Sequence, residues 1–327
     1  MSYLPTDLRP VDALCLGRAG VDLYAREHNT PMGEVSGFEK YVGGSPANIA
    51  VAMSRLGAKV GMIGMVSADS LGEYVRDYLR SEGVSVEGLG TVADGSRTSL
   101  AVTEMRPDNC EVVIYRNRAA DLALAPEHID PQMIASARLL VISGTALCES
   151  PSREAVFAAL LAAEQAGTSV MLDLDYRAYN WRSLADASAC YRLAARFATL
   201  VVGNREEFEV LGAPVQDGDA AIAASLLDAP GATRVVFVKA GAEGSKVYTD
   251  KQPAPIEQAV FTVQATKPFG AGDAYAGTIC AGLLAGLPLA ECVRRGSAAA
   301  AIVVAGNSCS DASPTETELS TFMTQHR

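Results

Sequence analysis

Apolar and polar positions divide the chain into strand–helix alternation with one interruption. Residues 13–17 are a short apolar run ending in glycine, which predicts a first strand. Residues 45–57 carry a proline in the first turn and a glycine stop, which predicts a helix. A strand at 59–65 and a helix at 72–82, closed by Gly83, follow in the same way. Residues 24–41 are more polar and are broken by Pro31, Gly33 and Gly37. Residues 98–104 and 111–116 alternate around Pro107, Asp108 and Asn109, the pattern of paired strands joined by a turn. From Arg138 onward, apolar runs at 139–143, 169–173, 197–203 and 234–239 predict buried parallel strands. Helical runs at 151–166, 183–194, 205–211 and 217–228 are interspersed with them. Two alanine- and glycine-rich runs, 272–286 and 289–305, predict closely packed helices. The ends, 1–9 and 309–327, read as loose or peripheral, the second with room for a short helix.

The expected architecture is α/β: one domain over 1–327, with a mostly parallel sheet and covering helices. Segments 24–41 and 97–118 would add a small sheet of their own within it. In open parallel sheets ligands collect beyond the carboxyl ends of the strands. Asp22, Asp173, Arg177, Asn204 and Gly241 all follow predicted strands at such ends.

Charge narrows the function. With 27 Lys and Arg against 38 Asp and Glu, the net charge is −11, and no basic cluster compensates. That excludes a nucleic-acid surface, and an anionic ligand must be held by local arginines or backbone N–H groups. The seven cysteines form no C-x-x-C pair, which fits a reducing compartment. His28, His128 and His326 lack metal-ligand spacing. The first residues, with Asp7, Arg9 and Asp12, do not form a signal peptide. The apolar stretch from Ala274 is broken by Pro288, Glu291, Arg294 and Arg295, so it predicts buried helices rather than a membrane span. A cytoplasmic protein without membrane or nucleic-acid partners is expected.

Candidate chemistry concentrates in 266–277. Gly270 and Gly272 precede and open a predicted helix, whose free N–H groups can face an anion. Asp273 then stands in the first turn, either stabilising the helix start or taking a proton from a group attacking a phosphate. Asn204 and Glu207 have the spacing of a helix capping box, and equally of side chains facing nucleotide phosphates through hydrated magnesium. Lys239, Gly241 and Gly244 suit a turn shaping a nucleotide pocket, with the lysine as a second candidate for a phosphate. Gly44 and Asn48 lie at the start of the 45–57 helix. The Asn48 amide and the Asp22 carboxylate suit sugar hydroxyls, or serve as a helix-start amide and a turn carboxylate. Arg177, and after it Arg116, are the candidates for a substrate carboxylate, against a reading as solvated surface residues. No G-x-x-x-x-G-K-[ST] loop and no N-terminal dinucleotide fingerprint occur.

Taken together, Gly43 to Gly57, the Asn204–Glu207 spacing, Lys239 to Gly241 and Gly270 to Asp273 resemble the ribokinase-like family of carbohydrate kinases. The resemblance covers about residues 11–307. It implies an α/β fold with a small β-sheet lid, ATP and magnesium as cofactors, and potassium as a further candidate ion near the anion hole. It assigns the sugar to Asp22, Gly44 and Asn48, the anion hole to Gly270, Ala271 and Gly272, and the base to Asp273. Asn204, Glu207, Lys239, Gly241, Gly244 and Asn307 fall to the nucleotide, with Glu207 reaching magnesium through water. It also implies a homodimer in which the lids pair. Lys267, Pro268 and Phe269 replace the threonine-rich approach common to the family. With 18–24, 115–121 and 173–177 they resemble the branch acting on a keto sugar acid in bacterial myo-inositol breakdown. A 2-keto-3-deoxygluconate kinase or another ribokinase-like sugar kinase is the alternative enzyme, and a sugar-binding regulatory protein on the same fold the non-enzyme alternative.

Overall fold

The computed structural model describes residues 3–106, 110–267 and 269–326. The turn expected at Pro107, Asp108 and Asn109, and Pro268, lie outside the described residues. The strands are β1 (Val11–Leu16), β2 (Gly20–His28), β3 (Phe38–Gly43), β4 (Val60–Ser67), β5 (Ser85–Val92), β6 (Leu100–Met105) and β7 (Val112–Tyr115). They continue as β8 (Ala137–Ser143), β9 (Ser169–Asp173), β10 (Leu200–Asn204), β11 (Val235–Lys239), β12 (Ser245–Thr249) and β13 (Gln252–Gln258). The helices are α1 (Ser45–Arg55), α2 (Ser70–Ser81), α3 (Pro131–Ala135), α4 (Ser152–Ala166) and α5 (Leu184–Ala195). After them come α6 (Arg205–Leu211), α7 (Asp219–Leu227), α8 (Ala271–Leu284), α9 (Leu289–Ala305) and α10 (Glu316–Gln325). The chain packs as two compact units: residues up to Leu16 with Leu124–Val260, and Gly17–Ala123 with the segment from Phe261 on.

In the first unit the strands run β13-β12-β11-β10-β9-β8-β1. Neighbours from β1 through β11 are parallel, and β12 and β13 close the edge antiparallel. The parallel strands are almost wholly buried, as their continuous Val, Leu and Ile runs require. Register brings Ser143 opposite Asp173, Asp173 opposite Val202, and Asn204 opposite Lys239. Four polar residues, Ser143, Asp173, Asn204 and Lys239, thus stand at the carboxyl ends of adjacent strands. β12 and β13 were not among the expected strands; β13 is the edge strand, which tolerates Pro253 and Pro255 and needs little apolar content.

In the second unit β4 and β5 pair in parallel, and a separate four-stranded sheet runs β3-β2-β6-β7. This sheet starts at Gly20, earlier than the sequence pattern implied. Asp22 therefore lies on a strand, opposite Tyr41 and Ala101, rather than in a loop after β1. The expectation of loose ends is corrected as well. Cys309 and Ser310 are buried, and the Ser310 hydroxyl donates to the Val42 carbonyl at 2.8 Å. Leu319 of α10 is fully buried in a cluster with Ala274, Ala298 and Val303 of α8 and α9. At the other end the Arg9 guanidinium donates to the Ala137 carbonyl and the Thr168 hydroxyl, each at 2.8 Å.

Helices α1 and α8 cross at small residues. A β-carbon on Gly277 would lie 2.7 Å from the Ala52 β-carbon and 2.9 Å from the Ile49 carbonyl oxygen. Replacing Gly277 by Val is expected to destabilise the fold by roughly 1–3 kcal/mol through overpacking. Urea unfolding checks this, and an unchanged midpoint would contradict the close crossing.

Candidate active site

Helix α8 begins at Gly270, whose φ of 88° is left-handed. A β-carbon there would also sit 2.6 Å from the Cys309 sulfur, so glycine is required on two counts. No side chain caps this end, and the first intrahelical bond is the Ala274 N–H donating to the Gly270 carbonyl at 3.1 Å. The N–H groups of Ala271 and Gly272 therefore have no acceptor within the helix. Residues 270–273 are partly exposed, whereas α8 from Ala274 on is buried. The reachable part of α8 is its electropositive tip.

Asp273 occupies the first turn, and its Oδ2 accepts from the Asn48 amide at 2.7 Å. The Asn48 side chain is set by α1, which starts from Gly44 at φ 103°; a β-carbon there would strike the Arg18 carbonyl oxygen at 2.4 Å. Asn48 Oδ1 and Asp22 Oδ1 are buried acceptors with no partner among the described residues. Asp22 Oδ2 accepts from the Tyr24 hydroxyl at 3.0 Å, and that hydroxyl lies 3.0 Å from the Cys309 sulfur. Gly43 yields the space for the carboxylate, since a β-carbon would come within 2.1 Å of it. Burial raises the Asp22 pKa, while the Arg18 guanidinium partly opposes the shift. Burial also pushes the Tyr24 hydroxyl well above its usual range and the Cys309 thiol up to about 12.

Arg116 extends β7 at the end of the small sheet from which Asp22 projects. Its guanidinium is buried and donates through Nε and Nη2 to Asp121 Oδ2, at 2.9 and 2.6 Å. It is not a solvated surface arginine. Asn307 is exposed just past the end of α9.

The first unit gathers a second group. Asn204 caps α6 by accepting from the Glu207 N–H at 2.8 Å, and the Glu207 carboxylate accepts from the Asn204 N–H at 2.7 Å. Glu207 also accepts from the Tyr176 N–H at 3.3 Å. The Lys239 ammonium lies 3.4 Å from Asp173 and 3.7 Å from Glu207. The capping box is therefore real, and it holds a buried carboxylate beside a lysine at the strand ends. Among the described residues no group of three or more His, Cys, Asp or Glu is arranged to hold a metal. Two carboxylates interleaved with an ammonium suit a hydrated magnesium carried by phosphates, not a caged ion. Gly241 and Gly244 shape the β11–β12 turn; only Gly244 is crowded, its β-carbon position lying 2.0 Å from the Gln258 carbonyl oxygen. Arg177 is half-exposed and pairs with Asp175 at 2.9 Å.

Three participants escaped sequence reasoning. Tyr24 was detectable, because alternation along a strand sets it on the face of Asp22. Cys309 carried no signal, since its partners are remote in sequence. The asparagine-like backbone of Asp175, at φ 37°, is equally silent in sequence, although its carboxylate accepts from Ser143 at 3.1 Å.

Residues 12–316 match the model of the pfkB family carbohydrate kinases. A 5-dehydro-2-deoxygluconokinase of Photobacterium profundum is 52% identical over 96% of this chain and 95% of its own length. One from Geobacillus kaustophilus is 43% identical over 100% of this chain and 98% of its own. The crystal structure of a Xylella fastidiosa fructokinase with bound ATP superposes with a TM-score of 0.84 at 25% identity, covering 96% and 98% of the two chains.

Asp22 tests the electrostatics of the site. Its folded-state pKa is raised, so it favours folding when protonated and loses that contribution as pH rises through the folded value. Asp22→Asn is accordingly expected to melt higher than the parent at neutral pH. The gap should narrow as pH falls toward the ordinary aspartate value of about 3.9. A parent that is the more stable at neutral pH would contradict a buried, desolvated carboxylate.

Proposed function

The chain belongs to the pfkB family of carbohydrate kinases, and from that premise we propose a substrate and a division of labour. The substrate is 5-dehydro-2-deoxy-D-gluconate, phosphorylated on its terminal hydroxyl by ATP. The observation that carries the mechanism is Asp273, held by Asn48 at the open, uncapped tip of α8. The substrate assignment is supported by the relatives at 52% and 43% identity.

Asp22 and Asn48 each offer a buried acceptor to sugar hydroxyls. The terminal hydroxyl lies against Asp273, which takes its proton as the oxygen bonds to the γ-phosphorus and the bond to ADP breaks. Asn48 fixes the Asp273 carboxylate in the orientation for that transfer. The N–H groups of Ala271 and Gly272 receive the charge spread over the transferring oxygens. Asn204, Glu207 and Lys239, with the Gly241–Gly244 turn and Asn307, serve the nucleotide. Magnesium, where bound, neutralises phosphate charge, with Glu207 reaching it through water. Arg177 is the first choice for the substrate carboxylate. Arg116 is second, because its guanidinium is already neutralised by Asp121.

Asp273→Asn is expected to keep ATP binding and lower kcat by about 10²–10⁴-fold. Coupled ADP assays should rank 5-dehydro-2-deoxygluconate above 2-keto-3-deoxygluconate, fructose and ribose. A folded variant with near-parental turnover removes Asp273 from the base role, and a preference for another sugar overturns the substrate.

Arg177→Ala should cost about 10–100-fold in kcat/KM on the acid, the range of a hydrogen bond to a charged group. The neutral alcohol analogue should lose far less. Equal losses on both compounds would reject the clamp. Arg116→Ala is the poorer probe, because it strands the Asp121 carboxylate in the interior.

A further inference from the structure

Lys267 has no exposed surface, yet its ammonium meets no carboxylate directly. It donates to two backbone carbonyls, of Phe269 and Val303, both at 2.9 Å. Val303 lies in the last turn of α9, where the helix dipole is negative, and its carbonyl also accepts from the Gly306 N–H at 3.1 Å. Phe269 is the residue before Gly270, where α8 starts. One ammonium thus ties the closing turn of α9 to the loop that launches the anion hole. Thr266 reinforces the tie: its hydroxyl donates to the Gly306 carbonyl at 2.8 Å. The Phe269 ring lies 5.2 Å from the ammonium and packs on Tyr24 at 5.4 Å.

Burying an ammonium is expensive unless the site needs its charge. Burial lowers the Lys267 pKa, and the acidic groups Cys309, Asp273 and Asp22 oppose the shift. Oxygen ligands of this kind, backbone carbonyls near acidic side chains, also suit a monovalent metal ion. Here the carbonyls of Phe269 and Val303 already serve the lysine, so these residues do not fit potassium as a further ion at this point.

We infer that the Lys267 ammonium is a built-in monovalent cation for the α8 anion hole, so that turnover requires no added potassium. The inference rests on the kinase reading above. Lys267 is a positioning residue: it fixes the Phe269–Gly270 backbone and adds positive field behind the N–H groups of Ala271 and Gly272.

Sugar-dependent ADP formation is measured in potassium, sodium and tetramethylammonium chloride at equal ionic strength. The parent protein is expected to show the same kcat in all three. Lys267→Ala in tetramethylammonium should lose about 10–100-fold in kcat, the scale of removing a supporting group behind a reactive centre. Potassium or methylammonium should restore it, and should raise the melting temperature of Lys267→Ala but not of the parent. Potassium activation of the parent overturns the inference. So does a folded Lys267→Ala that is fully active without small cations, or one that no small cation restores. If Lys267→Ala does not fold, the parent salt series decides alone. Absence of ADP formation in every salt would defeat the kinase reading itself, and this inference with it.

Discussion

An uncapped helix start is the constraint on which the second unit is built. Helix α8 opens at Gly270 without a side-chain cap, so packing must hold its first turn instead. Cys309 closes against Gly270, Ala52 against Gly277, and Asn48 bonds to Asp273. The first two contacts exclude a larger residue at their glycines, and the N–H groups of the tip keep no acceptor inside the helix. A capping serine or aspartate would stabilise the helix by about 1 kcal/mol but would fill the place proposed for the anion. Local stability is given up where function needs an empty acceptor position.

That choice sets the electrostatics. Asp22 and Asp273 both act on Cys309 and Lys267 near this helix start, and in the proposed reaction an anionic phosphoryl group would arrive beside them. Lys267 is the buried counter-charge in this neighbourhood, and its field acts on both carboxylates. Tyr24 and Cys309 stay protonated, because burial raises both pKa values, and so add no negative charge. The ammonium is neutralised by peptide dipoles instead of a direct ion pair. A lysine paired tightly with Asp273 would pull that carboxylate away from its proton-accepting role.

Most of the fold was legible in the sequence because its elements have strong periodic signals. Helix α9 matches the predicted 289–305 and α6 the predicted 205–211, each bounded by its own proline, glycine or capping residue. The elements missed include some whose pattern is weak, such as β5, with glycines at 88 and 90, and the proline-bearing β13, together with the short α3 and β12. The capping box at Asn204 and Glu207 was visible as a spacing, but spacing could not decide whether the pair also meets phosphates. Local chemistry was legible wherever partners are near in sequence. It was lost where they are remote, as with Tyr24 and Cys309, 285 residues apart.

The same distinction explains why a motif around Gly270 and Asp273 identifies a kinase but not its sugar. The transferring phosphoryl group is common to all such enzymes, so in the proposed mechanism the helix tip and Asp273 answer only to phosphate chemistry. In the same proposal substrate identity rests on side chains of other elements, Asp22 on β2, Asn48 on α1 and the two arginines. Lys267 and Phe269 stand between these layers. The phenylalanine lends its carbonyl to the ammonium and its ring to Tyr24, whose hydroxyl donates to Asp22. A change in the loop before Gly270 therefore reaches the carboxylate proposed to meet the sugar.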